Sequence, residues 1–254
     1  MNNMTTILEY IDIHKSFGPK EIYKGLNLKI QKGETLCIIG GSGTGKSVMI
    51  KMLVGLLQPD KGQILAWGED ISNFDEVQML PIRKRIAMLF QNGALFDSLT
   101  VAENIAYPLV EHKWGDEEQR AKRVKEVLEM VGLPGIEDQK PSELSGGMRK
   151  RVALARSIAV EPEVLLYDEP TTGLDPISIR RINGLIMDLQ KKLGVTSIVI
   201  THEMPSVFTI ADRVALVRDH KIAFIGTPDE IKDLEEKSIQ EFIRGGEGVL
   251  HEDL

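Results

Sequence analysis

Three short apolar runs stand out in the hydrophobic pattern of the chain, at residues 35–39, 164–167 and 197–200. Each run is apolar on both faces, which is typical of a central strand in a parallel sheet that is buried on both sides. Polar or glycine-rich residues follow all three runs. Because ligands bind beyond the carboxyl ends of the strands in open α/β sheets, the pattern predicts a binding site at this edge.

Helix-type periodicity alternates with these predicted strands. Residues 46–56 carry apolar side chains at helical spacing, and another helix is predicted between an N-cap at Asp175 and a stop at Gly194. From 101 to 159 the pattern is mainly helical and includes a capping box that begins at Asp116. This stretch interrupts the alternation of strand and helix, so we interpret it as a helical insert in an α/β domain.

Composition and charge narrow the class of protein. The 254 residues include 31 Lys and Arg against 38 Asp and Glu, for a net charge of −7, which argues against broad nucleic-acid binding. No apolar stretch approaches the roughly 18 residues of a membrane-spanning helix, and we expect no signal peptide. The single Cys37 excludes an intrachain disulfide and a multi-cysteine metal site. Composition therefore predicts a water-facing protein of a reducing cytosol.

The first apolar run leads into the pattern G-x-x-x-x-G-K-[ST], whose glycine-rich backbone directs N–H groups at phosphate oxygens. We expect Lys46 to reach the β- and γ-phosphates and the Ser47 hydroxyl to bind Mg²⁺. A chance match in a flexible loop is the alternative, and composition predicts roughly 0.014 such matches per chain. The motif consists of Gly40, Gly41, Ser42, Gly43, Thr44, Gly45, Lys46 and Ser47.

A second glycine-containing motif, Leu-Ser-Gly-Gly-Met at 144–148, directly precedes an apolar-faced helix. Three cations in the first turn of this helix oppose its dipole, and ordinary helix design does not explain them: Arg149, Lys150 and Arg151. The motif makes a second potential anion site from the Ser145 hydroxyl and the N–H groups of Gly146 and Gly147. A plain N-cap without a ligand is the alternative.

Acidic residues and a histidine follow the other two runs. We expect Asp168 to bind Mg²⁺ and Glu169 to polarise the attacking water as general base, because successive strand residues point to opposite faces. A solvated turn is the alternative for an isolated acid pair. His202 follows the third run, and its position beside two other strand ends with site chemistry favours a functional role over a structural one.

In this order, the motifs resemble those of the nucleotide-binding subunit of ABC transporters, over about residues 7–243. The resemblance rests on the loop 40–47, Gln91, the motif 144–148, Asp168 with Glu169, the segment 173–175, and His202. It implies an α/β fold of the P-loop NTPase class, in which a RecA-like parallel sheet core carries an N-terminal antiparallel β region and an α-helical subdomain. It also implies ATP and Mg²⁺ as substrate and cofactor.

The same resemblance implies a division of the chain. One ABC ATPase domain would cover residues 5–243, with 5–100 and 160–243 forming the core and 101–159 forming the helical insert. The C-terminal tail, 244–254, would follow it and contact the other subunit of a dimer.

The resemblance also implies roles for single residues. Phe17 matches the aromatic residue that stacks on adenine, and Gln91 matches a residue that links Mg²⁺ and the water to the membrane partner. Asp175 matches a residue at the dimer interface, and His202 one that contacts the γ-phosphate. Met148 stands where many members have Gln, a change that a backbone anion site tolerates.

A complete site would need two copies of the chain, because one copy carries one phosphate-binding loop and one 144–148 motif. In the family, two subunits pack head to tail around two ATP molecules. Ser145 and Gly147 of one subunit would then close over the γ-phosphate that Lys46 of the other subunit holds.

Further segments resemble the Mla/Mce lipid-transport ATPases within the family: residues 90–96, 99–104 and 107–109, with the Gly-Met ending of the second motif. This implies phospholipid transport between envelope membranes and a peripheral position at the cytoplasmic face of the inner membrane. The implied partners are an integral membrane permease, a small regulatory subunit and a lipid-binding Mce-type protein, without nucleic acid. The alternatives are an ABC ATPase for a polar solute, a soluble non-transport ABC protein acting on ribosomes or DNA, and a P-loop kinase or nucleotide sensor.

Overall fold

The computed structural model describes residues 5–91 and 93–243. The strands within these residues are β1 (Thr6–Phe17), β2 (Lys20–Gln31), β3 (Thr35–Ile39), β4 (Lys61–Ala66), β5 (Glu69–Asp70), β6 (Ile86–Leu89), β7 (Val164–Asp168), β8 (Thr196–Ile200), β9 (Arg213–Arg218) and β10 (Lys221–Gly226). The α-helices are α1 (Lys46–Leu53), α2 (Glu76–Arg85), α3 (Val101–Glu111), α4 (Glu117–Met130), α5 (Gly146–Ile158), α6 (Pro176–Leu193), α7 (Met204–Ile210), α8 (Pro228–Lys232) and α9 (Lys237–Ile243).

A six-stranded sheet, in the order β10-β9-β3-β8-β7-β6, contains all three predicted strands. Its strands from β9 to β6 are parallel, and only β10 pairs antiparallel, at the edge. Every residue of β3 and β8 is buried, as their apolar runs predict. The prediction of a parallel α/β sheet is thereby confirmed, and the ends of β3, β7 and β8, where the sequence predicts a binding site, lie side by side.

A second, antiparallel sheet has the order β2-β1-β4-β5. Its inner face packs with α1 and with one face of the parallel sheet in a common hydrophobic cluster that includes Leu8, Leu26, Ile30, Leu36 and Ile50. The buried Tyr10 hydroxyl donates to the Met49 carbonyl at 3.0 Å. The antiparallel sheet therefore supports the helix that begins at the phosphate-binding loop.

Helices α3, α4 and α5, with the 3-10 turn Pro141–Glu143, occupy the predicted helical stretch. The capping box at Asp116 is present, since its side chain accepts from Gln119 N and the Gln119 side chain accepts from Asp116 N. A large cluster joins these helices to the other face of the parallel sheet, and it includes Ile105, Val124, Val127, Val152 and Tyr167. None of the helices among the described residues is long and apolar enough to cross a membrane.

The predicted bounds of two helices have different outcomes. Helix α6 begins after the Asp175 N-cap and ends before Gly194, whose φ is 65°, so both of its predicted ends are confirmed. Helix α1 ends at Leu53 and does not continue to Leu56. The chain leaves the helix at Gly55, with φ 71°, and Leu56 is 58% exposed, so its apolar side chain does not extend the buried face.

Candidate functional site

The phosphate-binding loop turns sharply between β3 and α1, and glycine is required at two of its positions. Gly40 has φ 152°, and a Cβ there would lie 2.5 Å from the Val217 carbonyl oxygen. Gly45 has φ 100°, and its Cβ would lie 2.4 Å from Cγ2 of Ile22. Any side chain at these positions would collide with the strands behind the loop, so the glycines allow the loop to lie close against the sheet.

Hydrogen bonds within the loop hold its shape. Lys46 Nζ donates to the carbonyl oxygens of Gly40 and Gly41, both at 2.8 Å. The Thr44 hydroxyl donates to the Gly41 carbonyl at 3.0 Å. Burial lowers the pKa of Lys46, against the opposing effect of the Glu169 and Asp168 carboxylates. The ammonium group thus lies in a partly dehydrated position at the start of α1, where an anion would compensate its charge.

Ser47 and Asp168 meet across the sheet edge. The Ser47 hydroxyl donates to Oδ1 of Asp168 at 3.1 Å, although 121 positions separate the two residues. Burial raises the pKa of the Asp168 carboxyl, and the nearby charge of Glu169 adds to this effect. A half-buried carboxylate beside a hydroxyl is an oxygen pair of the kind that Mg²⁺ binds together with phosphate oxygens.

Glu169 lies just outside β7, which ends at Asp168. Its backbone has φ 51°, an uncommon conformation for a residue other than glycine, and its N–H donates to the Ile200 carbonyl at 2.9 Å. The expectation that the alternation of side chains along a strand separates Asp168 from Glu169 is therefore wrong, because Glu169 lies outside β7. The left-handed backbone conformation of Glu169, held by the hydrogen bond to Ile200 at the end of β8, sets the direction of its side chain.

Among the described residues, His202 and Thr172 contact the Glu169 carboxylate through their side chains. His202 Nδ1 lies 3.0 Å from Oε1 and 3.0 Å from Oε2 of this carboxylate. The Thr172 hydroxyl donates to Oε2 at 3.0 Å. The His202 side chain is 63% exposed, whereas that of Glu169 is only 16% exposed. The carboxylate is thus a shielded acceptor beside a histidine that remains accessible from solvent.

A cavity of about 370 Å³ lies in front of these groups. It brings the phosphate-binding loop together with the ends of β7 and β8. Its lining consists of Ile22, Gly40, Ser42, Gly43, Gly45, Lys46, Ser47, Val48, Glu169, Ile200 and His202. One concave site therefore contains Lys46, five of the predicted glycine and serine residues of the loop, and the further predicted catalytic residues Glu169 and His202.

The 144–148 motif forms the start of α5. Ser145 is the N-cap, and its hydroxyl accepts from Met148 N at 3.2 Å. A Cβ on Gly147 would lie 2.9 Å from the Ser178 hydroxyl, so α5 packs closely against the start of α6. Asp175 caps α6 there and accepts from Ile177 N and Ser178 N. Gly146 and Asp175 are both exposed, so this surface is open to a ligand or a second chain.

The three cations after this motif have structural partners that the sequence does not reveal. Arg149 donates to the Leu144 carbonyl at 2.7 Å, and Arg151 donates to the Gly132 carbonyl at 3.0 Å. Lys150 donates to the Thr172 carbonyl at 2.7 Å. All three side chains reach carbonyl groups outside their own helix, which accounts for cations in a turn that the helix dipole disfavours.

Among the predicted site residues outside the lining of this cavity are Phe17, Gln91 and Asp175. Phe17 is 46% exposed at the end of β1, and Lys15 Nζ lies 5.4 Å from the centre of its ring. Gln91 is exposed, two residues beyond the end of β6. Of the residues that the structure describes, those that line the cavity include none of these three and no residue of the 144–148 motif.

Sequence reasoning missed two residues that hold the site. The Tyr23 hydroxyl donates to the Gly45 carbonyl at 2.6 Å, and burial raises the pKa of this phenol. No local pattern marks Tyr23, because its partner lies on another element. Thr172 is the second. The sequence does contain a signal for it, because Thr172 lies three residues after Glu169 in a turn-forming segment. At this spacing its hydroxyl can contact the Glu169 side chain.

Comparison with known proteins agrees with this geometry. A family model described as ABC transporter matches residues 23–172. The chain belongs to the ABC transporter family. The matched region contains the phosphate-binding loop, the 144–148 motif and the acids Asp168 and Glu169. The predictions of a P-loop NTPase fold and of an ABC-type ATPase are thereby confirmed.

Relatives within the ABC transporter family carry more specific names. The chain is 41% identical over 228 residues to the Haemophilus influenzae "Intermembrane phospholipid transport system ATP-binding protein MlaF", covering 90% of this chain and 86% of that protein. It is 37% identical over 242 residues to the Mycobacterium leprae "Probable ribonucleotide transport ATP-binding protein mkl", covering 95% of this chain and 70% of that one.

The ABC transporter fold is also evident in a solved structure. The dimeric, post-hydrolysis form of the ATP-binding cassette MJ0796, bound to ADP and Pi, superposes with a TM-score of 0.79 at 30% identity. The similarity covers 87% of this chain and 99% of that cassette. The prediction of an ABC cassette architecture is thus supported by sequence and by structure.

Proposed function

We propose that this chain is the ATP-hydrolysing subunit of a phospholipid transporter, acting as a homodimer on a membrane permease. The convergence of Lys46, Ser47, Asp168, Glu169 and His202 at one sheet edge carries the ATPase assignment. The 41% identity to the MlaF protein supports the lipid substrate. Nucleic acid is not among the proposed partners, in line with the net charge of −7.

In the proposed site, backbone N–H groups of the loop 40–47 surround the ATP phosphates at the positive end of α1. The Lys46 ammonium would exchange its carbonyl partners for the β- and γ-phosphates. Their negative charge would stabilise the protonated form of Lys46, which burial disfavours. Phe17, half exposed at the end of β1, would stack on the adenine ring.

The residues around Ser47 and Asp168 fit a Mg²⁺ ion. They offer a hydroxyl and a half-buried carboxylate 3.1 Å apart, and we propose that Gln91 would be a further ligand of the same ion. When bound, Mg²⁺ would neutralise charge on the phosphoryl oxygens. Asp168 would hold the ion while its carboxylate regains the ionised form that burial disfavours.

Glu169 is the proposed general base. Its shielded carboxylate would accept a hydrogen bond from the attacking water, and the exposed His202 beside it would contact the γ-phosphate. Most of the acceleration would come from the alignment of water, phosphate and Lys46, because phosphoryl transfer depends mainly on positioning and on charge stabilisation.

The homodimer completes each site. Ser145, Gly146 and Gly147 lie at the exposed start of α5, outside the lining of the cavity that contains Lys46. A second copy would bring this helix start over the γ-phosphate, as the N-terminus of a helix suits an anion. Asp175, at the adjacent start of α6, would lie at the same interface.

The permease is proposed to contact the side of the chain near Gln91. A second cavity of about 370 Å³ lies beside it, between β6, α3 and α5. Phe90, Phe96 and Tyr107 line this cavity, and each of the three is more than 40% exposed. Exposed aromatic residues in a concave surface are typical of a protein-binding site.

This proposal gives the chain a peripheral position at the cytoplasmic face of the inner membrane, through the permease. A small regulatory subunit and an Mce-type lipid-binding protein are proposed as further partners. We also propose the division into a core of 5–100 and 160–243 and a helical insert of 101–159. The proposed dimer contact of the tail, 244–254, lies outside the described residues.

A polar solute is the second candidate substrate. The Mycobacterium leprae relative, at 37% identity, carries the name of a ribonucleotide transport protein. The nucleotide site would be the same for either substrate, because the permease and not this chain contacts the cargo.

Affinity purification from native membranes tests the proposal. The chain should co-purify with an integral membrane protein and bound phospholipid, and the complex should hydrolyse ATP. A permease associated with a receptor for a sugar, an amino acid or a nucleotide would contradict the lipid assignment. Co-purification with ribosomes in place of a membrane protein would contradict the transport assignment altogether.

A further inference from the structure

Thr172 contacts both Glu169, the proposed general base, and helix α5. Its hydroxyl donates to Oε2 of Glu169 at 3.0 Å, while its carbonyl oxygen accepts from Lys150 Nζ at 2.7 Å. Lys150 lies on α5, five residues after the Ser145 N-cap. A single residue of the loop between β7 and α6 therefore joins the Glu169 carboxylate to the helix that begins with the 144–148 motif.

The Lys150 side chain is largely buried, which is unusual for a lysine. The residue is only 8% exposed, and burial lowers the pKa of its side chain, against the opposing effect of the Glu169 charge. A buried cation needs a partner, and the Thr172 carbonyl supplies one. Because the two groups lie on different elements, the bond fixes the distance between α5 and the loop.

The loop has little freedom between its ends. Glu169 N donates to the Ile200 carbonyl at 2.9 Å, and Leu174 N donates to the Thr171 carbonyl at 3.2 Å. At the far end, the close approach of Gly147 to Ser178 holds the start of α6 against α5. The Thr172 hydroxyl consequently reaches Glu169 from a fixed position and not from a free turn.

We propose that Thr172 and Lys150 are positioning residues for Glu169. Thr172 holds one carboxylate oxygen, and Lys150 holds Thr172 through its carbonyl, so the acceptor that binds the attacking water has one orientation. This inference rests on the proposed ATPase function of the site. It adds a reason for the cation at position 150, which lies against the helix dipole.

His202 alone does not fix the carboxylate. Its side chain is 63% exposed and approaches both carboxylate oxygens at 3.0 Å, so it restrains the tilt of the group weakly. Thr172 is half-buried and contacts only Oε2. A donor to one oxygen defines the rotation of the carboxylate, and Oε1, which His202 also approaches, retains a second acceptor position for a water molecule.

The decisive substitution is Thr172→Val in the full chain, purified with its membrane partner. Valine keeps the volume and removes the hydroxyl. We expect kcat for ATP hydrolysis to fall on the order of 10-fold to 100-fold, since a displaced catalytic group has effects of this size, while KM for ATP changes less than about twofold. Thr172→Ser retains the hydroxyl and should restore most of kcat. Equal kcat in wild type and Thr172→Val would overturn the proposal.

Lys150→Met tests the second half of the link. Methionine preserves the buried stem and removes the ammonium donor, so we expect the same fall in kcat at nearly constant KM, with partial recovery in Lys150→Arg. Arg151→Met is the matched control, because Arg151 follows on the same helix and also donates to carbonyl groups, those of Val131 and Gly132. An equal loss of kcat in both variants would assign Lys150 a general structural role.

A double substitution separates positioning from misfolding. In a Glu169→Gln background, Thr172→Val should leave the residual rate unchanged, because the group that it positions is already absent. The same fold-loss in both backgrounds would overturn the proposal. A wild-type complex without ATPase activity would instead refute the proposed function, whereas an active wild type with an unaffected Thr172→Val refutes only this inference.

Discussion

Ser47 and Asp168 form a hydrogen bond of 3.1 Å, although they lie 121 positions apart, at the start of α1 and the end of β7. The contact joins the loop proposed to bind phosphate to the carboxylate proposed to bind metal. It exists because β3 and β7 both pair with β8 in parallel, so their carboxyl ends lie at one edge. The oxygen pair is thus a product of strand order.

Asp168 should make the metal-free protein less stable as pH rises. Burial raises its pKa, so the carboxyl binds its proton more tightly in the folded protein than in the unfolded chain. The folded protein therefore loses stability as the pH rises from the unfolded pKa, about 4, through the raised pKa of the folded state. Above this window, Asp168→Asn should unfold at a higher temperature than wild type in EDTA. Calorimetry between pH 4 and 8 measures this, with Asp188→Asn, an exposed site on α6, as the control. Equal or lower thermal stability of Asp168→Asn at pH 7 would contradict it.

Glu169→Gln should reduce ATP hydrolysis by on the order of 10²–10⁴, the usual contribution of a general base. ATP binding should persist, because Lys46 and the loop are unchanged, and ATP-bound dimers should accumulate. Phosphate release and light scattering of the same sample measure the two effects. Normal turnover by this variant would remove Glu169 from the mechanism.

Gly45→Ala should disrupt the start of α1. The residue has φ 100°, and the new methyl group would lie 2.4 Å from Ile22, so we expect a loss of about 1–3 kcal/mol in the free energy of unfolding and much weaker ATP binding. Gly184 is the matched control within α6, since a Cβ there meets no atom within 4 Å. Gly184→Ala should stabilise the protein by up to about 1 kcal/mol. Similar denaturation midpoints for the two variants would refute this account of the loop.

Phe17→Ala should weaken ATP binding by about 1–3 kcal/mol, the usual value of stacking between an aromatic side chain and a base. Phe17 is 46% exposed, so its removal should leave the thermal stability nearly unchanged. Titration with a fluorescent ATP analogue measures the affinity, and Phe17→Tyr, which keeps the stacking face, should bind as wild type does. An unchanged Kd in Phe17→Ala would exclude the proposed adenine contact.

The sequence by itself determined the three strands that end at the site and the loop that follows the first of them. Strands β3, β7 and β8 are found within one residue of their predicted bounds, because short β-branched runs that are apolar on both faces favour a strand buried on both sides. The phosphate-binding loop was equally predictable, since Gly40, Gly43 and Gly45 have positive φ angles that other residues disfavour.

Only the tertiary structure decided which groups share the site and how each is held. Glu169 is directed by a left-handed turn bonded to Ile200, and Lys150 and Tyr23 hold the site through contacts with distant residues that no local pattern marks. Such contacts depend on strand order and helix packing, which bring together residues that are distant along the chain. The local conformational preferences of residues carry no information about such long-range contacts. The sequence therefore predicts the chemistry of the site, whereas the packing sets its geometry.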